Sequence, residues 1–389
     1  MNGKNRFIQL MLRTVPYLLV AVAASCVTLF LFVAPQKQNK LDELRLLISQ
    51  RFVGEVTQEQ LDDGAAAGMV AATGDKWSYY IPASEYASHM EQVQNEYVGI
   101  GVTISSALGE TGFTVLSVEP KGGAQEAGIQ AGDIICEVEG QSVLTLGSDH
   151  AKALIRGDEG TKASVSVIRA GEKLVFEVER KRIQMVVAKG RMLPENIGLV
   201  TIKNFDERCA DETLAAVESL VEQGAKALIF DVRFNPGGFK KELVKILDYL
   251  LPEGPVFRSI SYTGEETVTE SDADHLDIPM AVLINSASYS AAEFFAAALS
   301  EYDKAVLVGE ATTGKSYFQN TFRLSDGSAV GLSVGKYCTP NGVSLADVGG
   351  LKPDVEVPVD DETWNKIYGD TLEPSQDPQI QAAIARLQQ

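Results

Sequence analysis

Runs of apolar and polar positions divide the chain into stretches of different period. From Thr14 to Gln36 nothing is charged, and Val15–Ala34 is apolar almost throughout. Twenty such residues rising 1.5 Å each match the roughly 30 Å hydrocarbon layer of a bilayer. This predicts an uncleaved N-terminal transmembrane helix. Lys4, Arg6 and Arg13 flank it only on the amino-terminal side, which predicts a cytoplasmic tail and an extracytoplasmic body. A signal peptide ending near Ala21–Ser25 and a lipidated Cys26 compete with that reading, although Val27–Val33 stays apolar after the cysteine. Leu41, Leu44, Leu46 and Leu47, followed by Ala-rich Leu61–Ala72, predict a mostly helical region up to residue 95.

The period then shortens. Gly99–Ser105, Gly112–Val118, Asp133–Val138, Ala163–Arg169 and Lys173–Arg180 alternate as strands, with glycine turns between them. Ala124–Gly128 and Ser148–Ile155 predict two helices within this small β-rich domain. From Ile197 the pattern alternates again, now strand with helix. Strands are expected at Ile197–Ile202, Ala227–Val232, Met280–Ile284 and Ala305–Val308, and helices at Asp211–Gln223, Lys240–Leu251 and Ala291–Tyr302. That is the signature of an α/β sheet with covering helices. A hairpin is predicted about Ser325-Asp326-Gly327.

Composition removes several functions. The 389 residues carry a formal charge of -19, and beyond residue 36 there are 31 Lys and Arg against 53 Asp and Glu, a formal −22. Nucleic acid is therefore not an expected partner. Only His89, His150 and His275 are present, each in a polar segment, and none suggests a triad. Cys26, Cys136, Cys209 and Cys338 form no C-x-x-C pair, so no zinc ribbon or thioredoxin-like site is expected. No metal or organic cofactor is implied.

Two motifs claim the same lysine. Gly309-Glu-Ala-Thr-Thr-Gly-Lys-Ser316 fits the phosphate-cradling G-x-x-x-x-G-K-[ST] pattern. That loop needs a helix to begin at the Lys-Ser, where N–H groups hold the phosphate. Here Tyr317–Leu324 reads as a strand, which argues against nucleotide. The second motif is Asn285-Ser-Ala-Ser-Tyr-Ser-Ala-Ala-Glu293, running from a buried strand into an Ala- and Phe-rich helix. Ser290 stands at the turn, where helix N–H groups and the positive dipole end favour a developing oxyanion. Ser290-Ala-Ala-Glu293 also fits a capping box, a purely structural role.

The company of these segments decides between the readings. Tyr97-Val-Gly-Ile-Gly-Val102, Pro120-Lys-Gly-Gly-Ala-Gln-Glu-Ala-Gly128 and Ala131-Gly-Asp-Ile-Ile135 resemble a PDZ domain. Asp231-Val-Arg-Phe-Asn-Pro-Gly-Gly238, the Ser290 segment and Gly314-Lys-Ser-Tyr-Phe-Gln319 together resemble the carboxyl-terminal processing, or tail-specific, proteases. Gly74-Asp-Lys-Trp-Ser-Tyr79, Gly309-Glu310 and Gly350-Leu-Lys-Pro-Asp354 add to the match, which runs from about residue 40 to the end.

The resemblance implies a serine endopeptidase with an α/β (α+β) core and an inserted PDZ domain. Ser290 would be the nucleophile, Lys315 the base and Gln319 its orienter. Backbone N–H groups of Gly237, Gly238 and Ala291 would form the oxyanion hole. Val98, Gly99, Ile100, Gly101 and Val102 would hold a peptide carboxylate. Arg156 would either couple the PDZ domain to the protease or merely compensate a helix end. Ser288 remains a second candidate nucleophile, because the family's usual serine is replaced by Ala292, and Asn285-Ser286 stands where it has Gly-Ser.

The expected division is a tail and anchor over 1–36, a helical region over 37–95 packing on the core, the PDZ domain over 96–183 and the protease core over 184–389. Implied partners are proteins with apolar C-terminal tails and, through the anchor, the cell membrane. The helical region could support a homodimer, which the sequence leaves open. A silent PDZ scaffold that captures protein C-termini is the alternative from another class.

Overall fold

The computed structural model describes residues 11, 15, 17, 19–25, 39–105 and 108–389. Most of the expected membrane span lies outside these residues. Among the described residues no helix is long and apolar enough to cross a membrane. The chain divides into two units, Met1–Gly74 and Asp75–Gln389.

The first unit contains helices Lys40–Arg51 and Gln58–Ala71. Thr57 and Gln60 form a reciprocal capping box at the second, which satisfies two orphan N–H groups. Arg45 pairs with Asp42 and Asp62 and so ties the two helices together.

The second unit is built on a six-stranded sheet. Ala188–Leu193 lies antiparallel at one edge, followed by Ile197–Ile202, Ala227–Asp231, Met280–Ile284, Ala305–Gly309 and Val355–Glu356, all parallel. Every residue of Ala227–Asp231 and Met280–Ile284 is buried, as parallel strands covered on both faces require. One cover is helix Ala291–Glu301, buried from Ala291 through Leu299. Its Phe295 meets Phe205 and Phe230 at 5.7 and 5.3 Å, each ring worth about 1.5–3 kcal/mol on burial. Helix Pro378–Leu387 covers the other face with Ile380 and Ala383.

A second sheet carries Tyr79–Ile81, Ala329–Cys338, Gly254–Ser261 and Glu266–Ser271 in that order, with Tyr317–Arg323 also paired to Ala329–Cys338. Tyr79–Ile81 lies inside the region expected to be helical. It pairs with Ala329–Gly331, a partner too distant in sequence for local periodicity to reveal. Residues from Asp75 onward therefore belong with the protease body. Tyr317–Arg323 is a strand, as expected, so no helix begins at Lys315-Ser316 and the phosphate-loop reading lacks its essential element.

The PDZ sheet runs Val102–Ile104, Phe113–Val118, Ile134–Val138, Lys162–Arg169, Glu172–Glu179. It closes on its own core of Phe113, Ile135, Val165 and Val178. The strand expected over Gly99–Ser105 is split. Glu96–Gly99 pairs with Lys181–Gln184 instead, and Gly101, at φ 79, turns the chain into Val102–Ile104. The two ends of the domain are thus joined as a ribbon.

Candidate active site

Two loops leave the carboxyl ends of the neighbouring strands Ala227–Asp231 and Met280–Ile284, the usual place for a site on an open α/β sheet. They are bonded to one another and to the sheet. Asn235, fully buried, donates through Nδ2 to Ile202 O at 2.9 Å, and its Oδ1 accepts from the Gly237 N–H at 2.8 Å. Tyr289 N–H donates to Asn235 O at 3.1 Å, and Phe234 N–H to Asn285 Oδ1 at 3.0 Å. Gly237, at φ 92, lies so close that a Cβ there would stand 2.7 Å from Ser290 Cβ and 2.8 Å from Ala291 N.

Ser290 occupies the strained turn from strand to helix, at φ 58 and ψ −127. Such a backbone is costly for any residue but glycine, and it places the half-buried Ser290 at the head of the helix. Ser288 differs completely. It is fully buried, its hydroxyl donates to Val232 O at 2.8 Å, and it accepts from Asn285 N–H. Its hydroxyl is committed to holding the two loops together.

Glu293 closes the capping box from its own side and does more. It is fully buried. Oε2 accepts from Ser290 N–H at 2.9 Å and from Lys315 N–H at 2.8 Å, and Oε1 accepts from Gly314 N–H and the Thr312 hydroxyl. A single carboxylate oxygen therefore holds the backbones of Ser290 and Lys315 side by side. Burial pushes this carboxyl up, while the hydrogen bonds work against that rise.

Lys315 points its ammonium at aromatic faces, 4.6 Å from the Trp77 ring centre and 5.8 Å from that of Tyr289. Burial lowers its pKa below the ordinary 10.5, and the charges of Asp75 and Glu293 offset part of that fall. Asp75 is itself held low: burial raises it, but hydrogen bonds from Ser333, Ser78 and Trp77 outweigh burial. Gln319 donates through Nε2 to Tyr317 O at 3.1 Å and Ser333 Oγ at 2.9 Å. Among the described residues no hydrogen bond joins Lys315 Nζ to Ser290 or to Gln319. The lysine and serine main chains are adjacent, while the side chains of Lys315 and Gln319 are turned elsewhere.

Of the three expected oxyanion donors, Gly237 is engaged by Asn235. Its N–H is consumed because that bond fixes the loop. The N–H groups of Gly238 and Ala291 donate to no acceptor among the described residues, and Gly238 is exposed. Asp75, Trp77 and Tyr289 received no role from the sequence. Gly74-Asp-Lys-Trp-Ser-Tyr79 was visible there as a segment, but its purpose depends on the distant pairing of Tyr79–Ile81.

In the PDZ domain Val98, Gly99, Ile100 and Gly101 are buried, and Val102 is half-buried. Val102–Ile104 is an edge strand, hydrogen-bonded on one side only among the described residues. Arg156 ends helix Ser148–Ile155 and lies over the Tyr97 ring at 5.8 Å. This contact stays within the PDZ domain and its ribbon.

A serine on a strained strand-to-helix turn, with a half-buried lysine fixed beside it and unengaged N–H groups next to it, is the equipment of a serine hydrolase. The chain matches peptidase family S41 over residues 196–357 and the PDZ domain over residues 114–169. The carboxy-terminal processing protease CtpA of Bacillus subtilis (strain 168) is 32% identical over 361 residues, covering 88% of this chain and 76% of that protein. A probable CtpA-like serine protease of Staphylococcus haemolyticus (strain JCSC1435) is 28% identical over 327 residues, covering 83% of this chain and 65% of that protein. The crystal structure of a putative S41 protease from Bacteroides fragilis NCTC 9343 shares the fold, with a TM-score of 0.54 at 18% identity over 87% of this chain and 92% of the other. The chain belongs to peptidase family S41, as a serine peptidase of the carboxy-terminal processing class.

Proposed function

We propose that the protein is a membrane-anchored, extracytoplasmic endopeptidase using Ser290 and Lys315, with its PDZ domain receiving the C-terminal tail of the substrate. The observation that carries this reading is the Glu293 carboxylate, which holds the Ser290 and Lys315 backbones on one oxygen. Burial of Lys315 supplies the second requirement, a lysine that gives up its proton more readily than usual.

Neutral Lys315 Nζ takes the proton of Ser290 Oγ as Oγ bonds to the scissile carbonyl carbon. The oxyanion faces the N–H groups of Gly238 and Ala291. Lys315 returns the proton to the amide nitrogen, the C–N bond breaks, and an ester on Ser290 remains. Water then attacks the ester with Lys315 again as base, which releases the acid and restores Ser290. For this Nζ must leave the Trp77 and Tyr289 rings, and Gln319 can then accept from it without adding charge. A tail bound along Val102–Ile104, with its carboxylate at Gly99-Ile-Gly101, would bring the substrate to the enzyme and favour that change. The apolar run Val15–Ala34, with positive charge only before it, supports the anchor and its orientation.

The test is cleavage of an unstructured protein ending in an apolar tail. Wild type should cleave it and Ser290→Ala should not, with folding unchanged. Equal cleavage by both would remove Ser290 from the chemistry. Negligible cleavage by both, at several pH values and with PDZ peptide added, would favour a silent scaffold.

A further inference from the structure

The loop that carries Gly237 and Gly238 contains a residue whose backbone its own chemistry disfavours. Phe234 stands at φ 61, in the left-handed region that a bulky side chain avoids unless its surroundings hold it there. Its ring is held edge-on to Trp364 at 4.4 Å and 85°, and to Tyr368 at 5.3 Å and 66°. Both partners come from helix Asp361–Tyr368, far along the chain from the strand that Phe234 follows.

The residue before it is tied to the same end of the chain. Arg233, 7% exposed, donates through Nε and Nη2 to Asp231 at 2.9 and 2.6 Å, and through Nη1 reaches Gln379 Oε1 at 2.8 Å and Asp377 Oδ2 at 2.9 Å. Asp377 in turn caps helix Pro378–Leu387, accepting from Gln379 and Ile380 N–H. Asn235 then pins the loop to Ile202, and Gly237 rests against Ser290. The peptide that carries the Gly238 N–H is held through Gly237 O, which accepts from Phe205 N–H at 2.7 Å. The turn that leads into it is held by the aromatic clamp on Phe234 together with the Phe234 N–H bond to Asn285.

The geometry points to Trp364 as a positioning residue of the oxyanion hole: by clamping Phe234 in its left-handed turn, it helps to set the orientation of the Gly238 N–H. This rests on the Ser290 protease reading given above. Among the described residues the ring contacts of Trp364 are with Phe234 and Tyr368, so the path from Trp364 to the loop of Gly238 runs through Phe234. A displaced donor weakens the tetrahedral state more than the ground state, and misplacement by about 1 Å can cost about 10²-fold in rate.

The experiment uses the full chain and four variants: Trp364→Ala, Trp364→Phe, Phe234→Gly, and Phe234→Gly with Trp364→Ala. Each is measured for kcat and KM on a peptide substrate, for Tm, and for binding a peptide boronic acid, which forms a tetrahedral adduct on serine. Binding of the product peptide, which makes no such adduct, is the control. Trp364→Ala is expected to lose roughly 10- to 100-fold in kcat, with a parallel loss of boronate affinity and little change in KM or product-peptide binding. Trp364→Phe should recover most of the loss. Glycine accepts φ 61 without a clamp, so adding Trp364→Ala to Phe234→Gly should cost little more.

A Trp364→Ala variant that loses Tm but keeps kcat and boronate affinity would overturn the inference, as would full additivity of the two substitutions. If Trp364→Ala fails to fold, Trp364→Leu replaces it in both the single and the double variant, and the same comparison of kcat, KM and boronate affinity decides it. Boronate that binds neither wild type nor Ser290→Ala would overturn the serine reading, and this inference with it.

Discussion

The two halves of the candidate site are held by different means. The half on the central sheet is fixed through its main chain: Asn235, Asn285, Ser288 and Glu293 are all buried, and each bonds backbone groups of the loops around Ser290. The half on the second sheet is fixed only as far as the Lys315 backbone. Beyond it, the ammonium rests on Trp77 and Tyr289, and the Gln319 amide bonds within its own hairpin. Oxyanion stabilisation needs donors that do not reorganise, whereas a base can be brought in when substrate arrives. On the proposed mechanism, the electrostatic half of the site is prepared and the proton-transfer half is conditional.

The largest effect that can break this comparison is loss of the base. Lys315→Ala is expected to reduce cleavage by roughly 10⁴-fold or more. Lys315→Arg should do no better, since a guanidinium stays protonated. The fold should survive both, because the hydrogen bond that holds this segment beside Ser290 is made by the Lys315 main chain. Cleavage by either variant near the wild-type rate would make the second half irrelevant.

Glu293→Ala strikes the joint between the halves. It leaves the N–H groups of Ser290, Gly314 and Lys315 without their acceptor, at about 1–3 kcal/mol for each group that water cannot reach. Denaturant unfolding should show a loss of about 3 kcal/mol or more. Asn235→Ala removes a fully buried amide serving two backbone groups and should cost about 2 kcal/mol. Its kcat should fall with KM nearly constant, the mark of a lost transition-state contact.

Proton transfer gives a smaller but more pointed test. A base must be neutral, so activity should rise with pH through the Lys315 pKa, which burial places below the ordinary 10.5. Trp77 acts on that pKa in two senses. Its ring favours the charged ammonium, but it also helps exclude water, and burial is the larger influence on this lysine. Trp77→Ala should therefore move the rising limb of the pH–rate profile to higher pH. A shift to lower pH would mean that the aromatic contact outweighs burial. The smallest effect expected lies in the PDZ domain. Amidating the end of a tail peptide should weaken its binding by roughly tenfold, about 1.4 kcal/mol.

Much of the prepared half was legible in the sequence. Met280–Ile284 and the helix after it are set by local apolar pattern, and Ser290-Ala-Ala-Glu293 announced a helix start. What was not legible depended on contacts between distant residues. Glu293 reads as a cap in sequence, and only the approach of Gly314 and Lys315 shows its second role. Trp77 falls in a stretch whose strand is created by pairing with Ala329–Gly331. Gly237 was expected to offer its N–H, but the Asn235 side chain two residues earlier takes it, a choice that spacing alone does not express. The break at Gly99–Val102 likewise follows from the ribbon with Lys181–Gln184.

The central claim, that Ser290 is made reactive by Lys315, is tested most directly by labelling the full chain with a fluorophosphonate across a pH series and mapping the adduct. The account predicts one adduct, on Ser290, forming faster as pH rises through a lysine pKa below 10.5 and lost in Lys315→Ala. Labelling of Ser288 in its place, or undiminished labelling of Ser290 in Lys315→Ala, would contradict it.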